Sequence, residues 1–143
     1  MTPAQIAVVR QQFGMIAPQK DVFAALFYDK LFDSDPMLRP MFPADMRPQR
    51  AKLIQALAHV ILSLDNLGAV LDDVRSLGMR HAAYGVEANH YALVGETLLA
   101  ALAETLGARF DAKAEAAWAL AYGIVSDAMI EAAADLQSRQ AAE

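Results

Sequence analysis

The 143-residue sequence contains no cysteine. A chain without cysteine cannot form a disulfide framework, a thiolate zinc site, an iron–sulfur cluster or a cysteine nucleophile. The formal net charge of −5 provides no concentrated basic face for phosphate contacts, which argues against nucleic acid as a partner. Glycine and proline are also few, at seven and six residues, while 56% of the residues are hydrophobic, which excludes intrinsic disorder. The composition therefore predicts a single folded domain over residues 1–143.

Signals for targeting and for common catalytic sites are equally scarce. The first residues, from Met1 to Gln5, lack the basic head and apolar run of a secretion signal. No uncharged run approaches the roughly 20 residues that a membrane span needs. The sequence has no Gly-rich phosphate loop, no G-x-S-x-G elbow and no H-E-x-x-H zinc motif. We therefore expect a cytoplasmic protein with no membrane span, whose functional site is built on none of these three motifs.

Helical periodicity is the only strong structural signal in what is present. Helices are predicted over residues 2–17, 21–32, 49–64, 69–81, 89–106 and 111–136, with a short helical turn after Asp35-Pro36. Four prolines between residues 33 and 48 predict an ordered loop around Met41-Phe42-Pro43. Residues 137–143 are predicted to fray. About seven helices around one core predict an irregular all-α packing rather than a four-helix bundle.

The three histidines, His59, His81 and His90, are the candidate metal ligands. His81 stands at the end of a predicted helix, and the small residues after it would let a flat group approach. No i, i+4 histidine pair supports a zinc site. On these observations alone, a structural or surface role for His81 stays open.

Three tyrosines, Tyr28, Tyr91 and Tyr122, fall on otherwise apolar helix faces. A buried phenol needs a hydrogen-bond partner, so the set indicates a polar group inside the core. The alternative is that each hydroxyl reaches a backbone carbonyl. Gln49 follows Pro48 at a predicted helix start, where a polar residue is by itself unremarkable.

Five segments together resemble the globin family, and more closely the bacterial single-domain haemoglobins and the haem domain of flavohaemoglobins. They are FYDKLF at 27–32, PMF at 40–42, RHAAYGV at 80–86, HYALVGE at 90–96 and AWALAYG at 117–123. The resemblance covers roughly residues 4–136, and its specificity lies in the joint spacing of the segments. It implies the globin fold, a 3-over-3 helical sandwich, and a haem b cofactor.

On the proximal side, the resemblance implies that His81 binds the haem iron as its axial ligand. Tyr91 would hydrogen-bond the other ring nitrogen of His81, directly or through a network, and so increase electron donation to the iron. Val86 and Tyr122 would line the haem pocket, and Arg80 is assigned to the cofactor-binding residues with them.

On the distal side, the resemblance places Tyr28 and Gln49 next to the gas ligand. A phenol O–H and an amide N–H directed at bound O2 stabilise its partial negative charge more than they stabilise neutral CO. Phe42 would pack on the porphyrin face and Leu53 would close the distal side. Gln49 and Leu53 are four residues apart, which puts them on one helix face.

The sequence departs from the flavohaemoglobin pattern in two respects. Ala133 stands where the family has a glutamate that partners the proximal histidine and tyrosine. Glu131 lies two residues away, about 200° round the helix, and is expected to point elsewhere. No flavin or nicotinamide segment follows the haem segment, so the resemblance implies an external reductase. We expect a weaker proximal effect on the iron than in flavohaemoglobins.

Three functions remain open at this point. The first is reversible O2 binding or storage, with NO and CO as further ligands. The second is an enzymatic activity, nitric oxide dioxygenase, in which a separate reductase restores ferrous iron. The third is a haem-less sensor or interaction module on the same fold. The Ala-rich face of the last predicted helix is a candidate homodimer surface.

Overall fold

The computed structural model describes residues 1–142, which form six α-helices and contain no β-strand. The helices are α1 (Pro3–Ile16), α2 (Lys20–Ser34), α3 (Arg47–Leu62), α4 (Leu71–Ala83), α5 (Ala88–Leu106) and α6 (Ala112–Ala142). Short 3-10 turns connect them at Ala17–Gln19, Pro36–Met41, Leu67–Ala69 and Gly107–Arg109. The all-α prediction is confirmed, and the turn at Pro36–Met41 corresponds to the short helical segment expected after Asp35.

The helix starts follow from local hydrogen bonds. The Thr2 hydroxyl accepts from the Gln5 backbone N–H at 3.2 Å, and the Gln5 side chain accepts from the Thr2 N–H at 2.9 Å. This capping box satisfies two amide groups that the first turn of α1 leaves unpaired. Asp111 caps α6 with a single hydrogen bond, because its carboxylate accepts from the Ala114 N–H at 2.9 Å. Gly107 ends α5 with a φ of +59°, a conformation that favours glycine.

One predicted boundary is wrong. The tail from Gln137 was expected to fray, whereas α6 continues to Ala142. Ala is the best helix former, and no glycine or proline interrupts this segment. Glu143 lies outside the described residues.

The core divides into two clusters that different helices build. The larger one joins α1, α2, α3, α5 and α6, and the indole N–H of Trp118 donates to Gln12 at 2.8 Å inside it. The smaller one contains Val70, Val74, Tyr91 and Met129, at the junction of α4, α5 and α6. The smaller cluster therefore fixes where α4, the helix that carries His81, lies against the rest of the molecule.

Gly78 sets the distance between α4 and α6. A Cβ atom on Gly78 would lie 2.5 Å from the carbonyl oxygen and 2.6 Å from the Cα of Met129. Because real Cβ atoms do not approach backbone this closely, only glycine permits this contact. The contact lies three residues before His81 and so determines the position of the end of α4.

The stretch Ala88–Arg109, which contains α5, is long and apolar enough to cross a membrane by length and composition. The expectation that the chain has no membrane span stays a prediction. A core helix passes the same test, and Leu98, Ala101 and Leu102 of α5 are buried in the larger cluster.

Candidate functional site

Tyr28 and Gln49 form a hydrogen-bonded pair between α2 and α3. The Gln49 Nε2 donates to the Tyr28 hydroxyl at 3.1 Å, and Tyr28 is only 6% exposed. The phenol oxygen acts as the acceptor, so its own proton is still available to donate. Within residues 1–142 no acceptor takes that proton. The pair therefore presents a buried hydrogen-bond donor without a protein partner.

Aromatic rings enclose the Tyr28 ring. Phe27 meets it edge-on at 5.0 Å between centroids, Phe42 meets it edge-on at 5.6 Å, and Phe32 stacks on it at 5.9 Å. Such aromatic pairs hold rings in defined orientations. Burial raises the pKa of Tyr28, and the Gln49 hydrogen bond lowers it by less. Tyr28 is therefore a neutral phenol at physiological pH.

Leu53 and Phe42 lie in the same region as Tyr28. Both are half-buried and pack against the cluster that contains Tyr28. Leu53 follows Gln49 by one helical turn of α3, as its spacing predicts. The structure thus brings four residues of the expected distal side into one aromatic and aliphatic environment.

His81 has a defined tautomer. Its Nδ1 lies 2.8 Å from the backbone carbonyl oxygen of Leu77, one turn earlier in α4. Since a carbonyl only accepts, Nδ1 carries the proton and Nε2 keeps its lone pair. Burial lowers the pKa of His81, the Leu77 hydrogen bond opposes this, and the nearby Arg80 charge lowers it further. His81 is therefore a neutral imidazole with Nε2 available to bind a metal.

No direct hydrogen bond joins Tyr91 to His81 in the described residues, and a contact between them, direct or through a network, stays a prediction. The ring N–H of His81 bonds to the Leu77 carbonyl, and the Tyr91 hydroxyl is buried without a partner in the described part of the chain. The reason is local. A histidine side chain in a helix reaches the carbonyl four residues earlier, whereas Tyr91 is held by the apolar contacts of the smaller cluster.

The remaining expected proximal residues lie in different surroundings. Tyr122 donates to the backbone carbonyl of Tyr91 at 2.7 Å, so its hydroxyl is satisfied by the packing of α5 against α6. Val86 packs against the smaller cluster, and its N–H donates to the His81 carbonyl at 3.0 Å. Arg80 is exposed. Contact of Tyr122, Val86 and Arg80 with a cofactor stays a prediction.

The carboxylates of α6 do not take part in the site. Glu131 is exposed and Ala133 is half-buried. No carboxylate in the described residues bonds to Tyr91 or His81. His81 therefore has a neutral backbone carbonyl as the partner of its Nδ1.

These residues fit a haem group. Among the described residues, no three His, Asp or Glu side chains are close enough to hold a bare metal ion. A metal at His81 therefore needs its other donors from a cofactor, and the porphyrin nitrogens of haem supply four. A neutral imidazole with a free Nε2 is a side chain that can ligate the iron of such a group, and a buried donor phenol is one that can hydrogen-bond a ligand on that iron.

Sequence reasoning missed two contributors to this site. Leu77 acts through its carbonyl, and the i−4 spacing to His81 could have revealed it. Gly78 acts through a contact with α6 that no local pattern in the sequence marks.

Comparisons with known proteins identify relatives of this chain in sequence and in fold. The Globin family model matches residues 25–129. The flavohemoprotein of Bacillus subtilis strain 168 is 28% identical over 87% of this chain, and that of Bacillus thuringiensis subsp. konkukian is 30% identical over 95%. The chain spans about a third of the length of these relatives, 32% and 34% respectively.

Solved structures show the same fold. A bacterial globin from Campylobacter jejuni has a TM-score of 0.85 at 25% identity and covers 96% of this chain and 99% of its own. An engineered carbene transferase, built on a proposed nitric oxide dioxygenase from Rhodothermus marinus, has a TM-score of 0.87 at 28% identity and covers 99% of both chains. The expected fold is confirmed, and the chain belongs to the globin family.

Proposed function

We propose that this protein holds haem b through His81 and binds O2 reversibly next to Tyr28 and Gln49. The observation that carries the proposal is the hydrogen bond from Gln49 Nε2 to the Tyr28 hydroxyl at 3.1 Å. It leaves the proton of a buried phenol free to donate to a ligand. Membership of the globin family supports the haem assignment.

Haem, when bound, would supply an iron atom that binds diatomic gases. His81 would hold that iron through the lone pair of its Nε2. The Leu77 carbonyl holds the Nδ1 proton and thereby fixes the tautomer and the ring orientation. Because this partner is a neutral carbonyl and not a carboxylate, the imidazole donates less electron density. That favours reversible ligand binding over peroxidase chemistry.

Tyr28 supplies the polar contact on the distal side. Its proton stabilises a ligand that carries partial negative charge, so O2 gains more from it than CO does. Gln49 fixes the position of the phenol oxygen, and the rings of Phe27, Phe32 and Phe42 limit both its motion and the access of water. A donor oriented in this way is expected to slow O2 release.

Nitric oxide dioxygenase activity is the second candidate. Flavohemoproteins are among the relatives, and one structural neighbour is built on a proposed nitric oxide dioxygenase. In this chain the activity would use the same Tyr28 and Gln49 pair and take electrons from an external reductase in the cytoplasm. Rapid mixing of the O2-loaded protein with NO separates the two functions. Fast conversion to ferric haem supports the dioxygenase, and slow conversion supports an O2 carrier or store.

An absorption spectrum tests the haem proposal itself. The protein is loaded with haem, reduced, and recorded before and after CO is added. A five-coordinate ferrous spectrum that shifts to a sharp CO spectrum supports it, and His81→Ala should abolish that pattern. His59→Ala is the matched control, because His59 lies on the surface and pairs with Asp73 at 3.2 Å. A folded wild-type chain that takes up no haem would contradict the proposal and favour the haem-less module.

The homodimer is a separate proposal. Ala116, Ala119 and Leu120 lie exposed on α6, and small side chains on one face would let two copies pack closely. Sedimentation at several protein concentrations tests it. A single monomer peak throughout would contradict it.

A further inference from the structure

The guanidinium of Arg39 binds three consecutive backbone carbonyls of the segment that carries Phe42. Its Nη1 donates to the carbonyl of Phe42 at 3.3 Å and to that of Pro43 at 3.0 Å, while its Nη2 donates to that of Ala44 at 3.2 Å. We call residues 42–46, between the 3-10 turn Pro36–Met41 and α3, the Phe42 loop.

The Phe42 loop has few other means of holding its shape. It is not helical, so the carbonyls of residues 42–45 have no partner in a regular ladder, and Pro43 has no N–H to donate. The planar fork of an arginine can serve several acceptors at fixed angles, which the point charge of a lysine cannot. Arg39 therefore supplies the order that secondary structure does not.

The nearby acidic residues do not compete for this guanidinium. Asp35 accepts from the Met37 N–H at 3.1 Å and caps the 3-10 turn. Asp45 pairs with Arg47 at 2.9 Å. No ion pair of Arg39 occurs in the described residues, so its donors serve the backbone.

Arg39 also connects the loop to the distal aromatic residues. Its Cζ lies 5.3 Å from the centre of the Phe32 ring, in a cation–π arrangement. Phe32 stacks on Tyr28, and Phe42 meets Phe32 edge-on at 5.3 Å. One side chain thus contacts both the loop backbone and the ring that stacks on the donor phenol.

We propose that Arg39 is a positioning residue that holds the Phe42 loop against α2 and thereby sets how tightly haem is retained beneath Phe42. The proposal rests on the haem function proposed above. Arg39 does not have to touch the haem. It acts through the place it gives to Phe42 and, through Phe32, to the Tyr28 ring.

The test compares Arg39→Lys and Arg39→Met with wild type. Lysine keeps the positive charge but lacks the planar guanidinium, and methionine keeps only an apolar side chain of similar length. The matched control is Lys52→Met, because Lys52 is exposed on α3, outside the Phe42 loop, and its removal also deletes one positive charge. Haem transfer from the ferric protein to excess apomyoglobin should accelerate about tenfold in both Arg39 variants, because the Phe42 loop loses hydrogen bonds that hold it in place. Lys52→Met should transfer haem at the wild-type rate.

Two further readouts separate positioning from a general loss of stability. The C–O stretching band of the CO form should broaden or split in the Arg39 variants, since the Tyr28 ring loses a fixed neighbour. Amide hydrogen exchange in the haem-free protein should rise at residues 44–46 and stay unchanged in α5. Should Arg39→Met fail to fold, Arg39→Lys still decides the question.

A wild-type rate of haem transfer in Arg39→Lys would overturn the inference, even with faster exchange in the loop. Wild-type exchange at residues 44–46 in both variants would overturn it as well. If wild-type protein takes up no haem at all, the proposed function fails first and this inference fails with it. If wild type holds haem and Arg39→Lys holds it equally well, only the role of Arg39 fails.

Discussion

Gln49 donates a hydrogen bond from α3 to the hydroxyl of Tyr28 in α2, so the phenol proton stays free in a buried site. This relationship makes Tyr28 a donor whose oxygen is already held in place. A donor that is oriented before the ligand arrives stabilises it without reorganisation.

Replacing Tyr28 with phenylalanine is expected to increase the O2 dissociation rate by about 10- to 100-fold, because a hydrogen bond to a charged group contributes about 1.5–3 kcal/mol. The CO dissociation rate should change much less. Stopped-flow replacement of O2 by CO measures the first rate. Tyr84→Phe is the control, since Tyr84 is 73% exposed. An unchanged O2 rate in Tyr28→Phe would remove Tyr28 from the proposed site.

Gln49 and Tyr28 are expected to act as a unit. Gln49→Leu should accelerate O2 release, since the phenol loses its positioning partner and the pKa of Tyr28 rises further. In a double-mutant cycle with Tyr28→Phe, the two residues should couple by about 0.5–3 kcal/mol, the range found for contacting polar groups. Strictly additive effects on the dissociation rate would show that the hydrogen bond between them has no role in ligand binding.

The unpartnered Tyr91 hydroxyl is expected to be dispensable for stability. Because it is buried without a hydrogen bond, Tyr91→Phe should leave the free energy of unfolding unchanged or raise it by up to about 1 kcal/mol. Tyr122→Phe should lower that free energy by about 1 kcal/mol, because it breaks the bond to the Tyr91 carbonyl. Urea unfolding followed by circular dichroism measures both. A clear loss of stability in Tyr91→Phe would mean that the hydroxyl has a partner.

Gly78 is expected to be the glycine least tolerant of substitution. Gly78→Ala would place a methyl group against the Met129 backbone, and overpacking of this kind lowers the free energy of unfolding by about 1–3 kcal/mol. It should also weaken haem binding, since α4 carries His81. Gly14→Ala is the matched control. Its Cβ has no neighbour within 4 Å, and alanine in a helix should add about 0.5–1 kcal/mol. Equal stabilities of the two variants would contradict the contact between α4 and α6.

Alkaline pH is expected to weaken the fold through the buried tyrosines. Burial raises the pKa of Tyr28, Tyr91 and Tyr122 above the ordinary value of 10.0. Above that pH the unfolded chain loses these protons while the folded chain keeps them, so the free energy of unfolding falls as pH rises. Below pH 10 this contribution is complete. Phenolate absorbance of the folded protein should therefore rise later than that of the urea-unfolded chain. Coincident titration curves would contradict the burial of the three phenols.

Interactions between residues that lie only a few positions apart in the chain could be predicted from the sequence. The capping box of Thr2 and Gln5 and the cap at Asp111 depend on groups three residues apart, so local chemistry decides them. The family resemblance implies that Tyr28 and Gln49 share one site, but it does not imply the hydrogen bond between them, which α2 and α3 form across 21 positions of the chain.

Periodicity, caps and motif spacing are local or cumulative signals, and they are enough to predict the helices, the family and the candidate ligands. Which buried polar groups find partners depends instead on how the helices pack. In the described residues the packing leaves the Tyr91 hydroxyl without a hydrogen bond. It also places the Arg39 guanidinium against three backbone carbonyls, and it brings Gly78 into contact with the Met129 backbone. These outcomes depend on distances between helices to within a few tenths of an ångström. Such distances are set by the packing of the whole core, which no single stretch of sequence specifies.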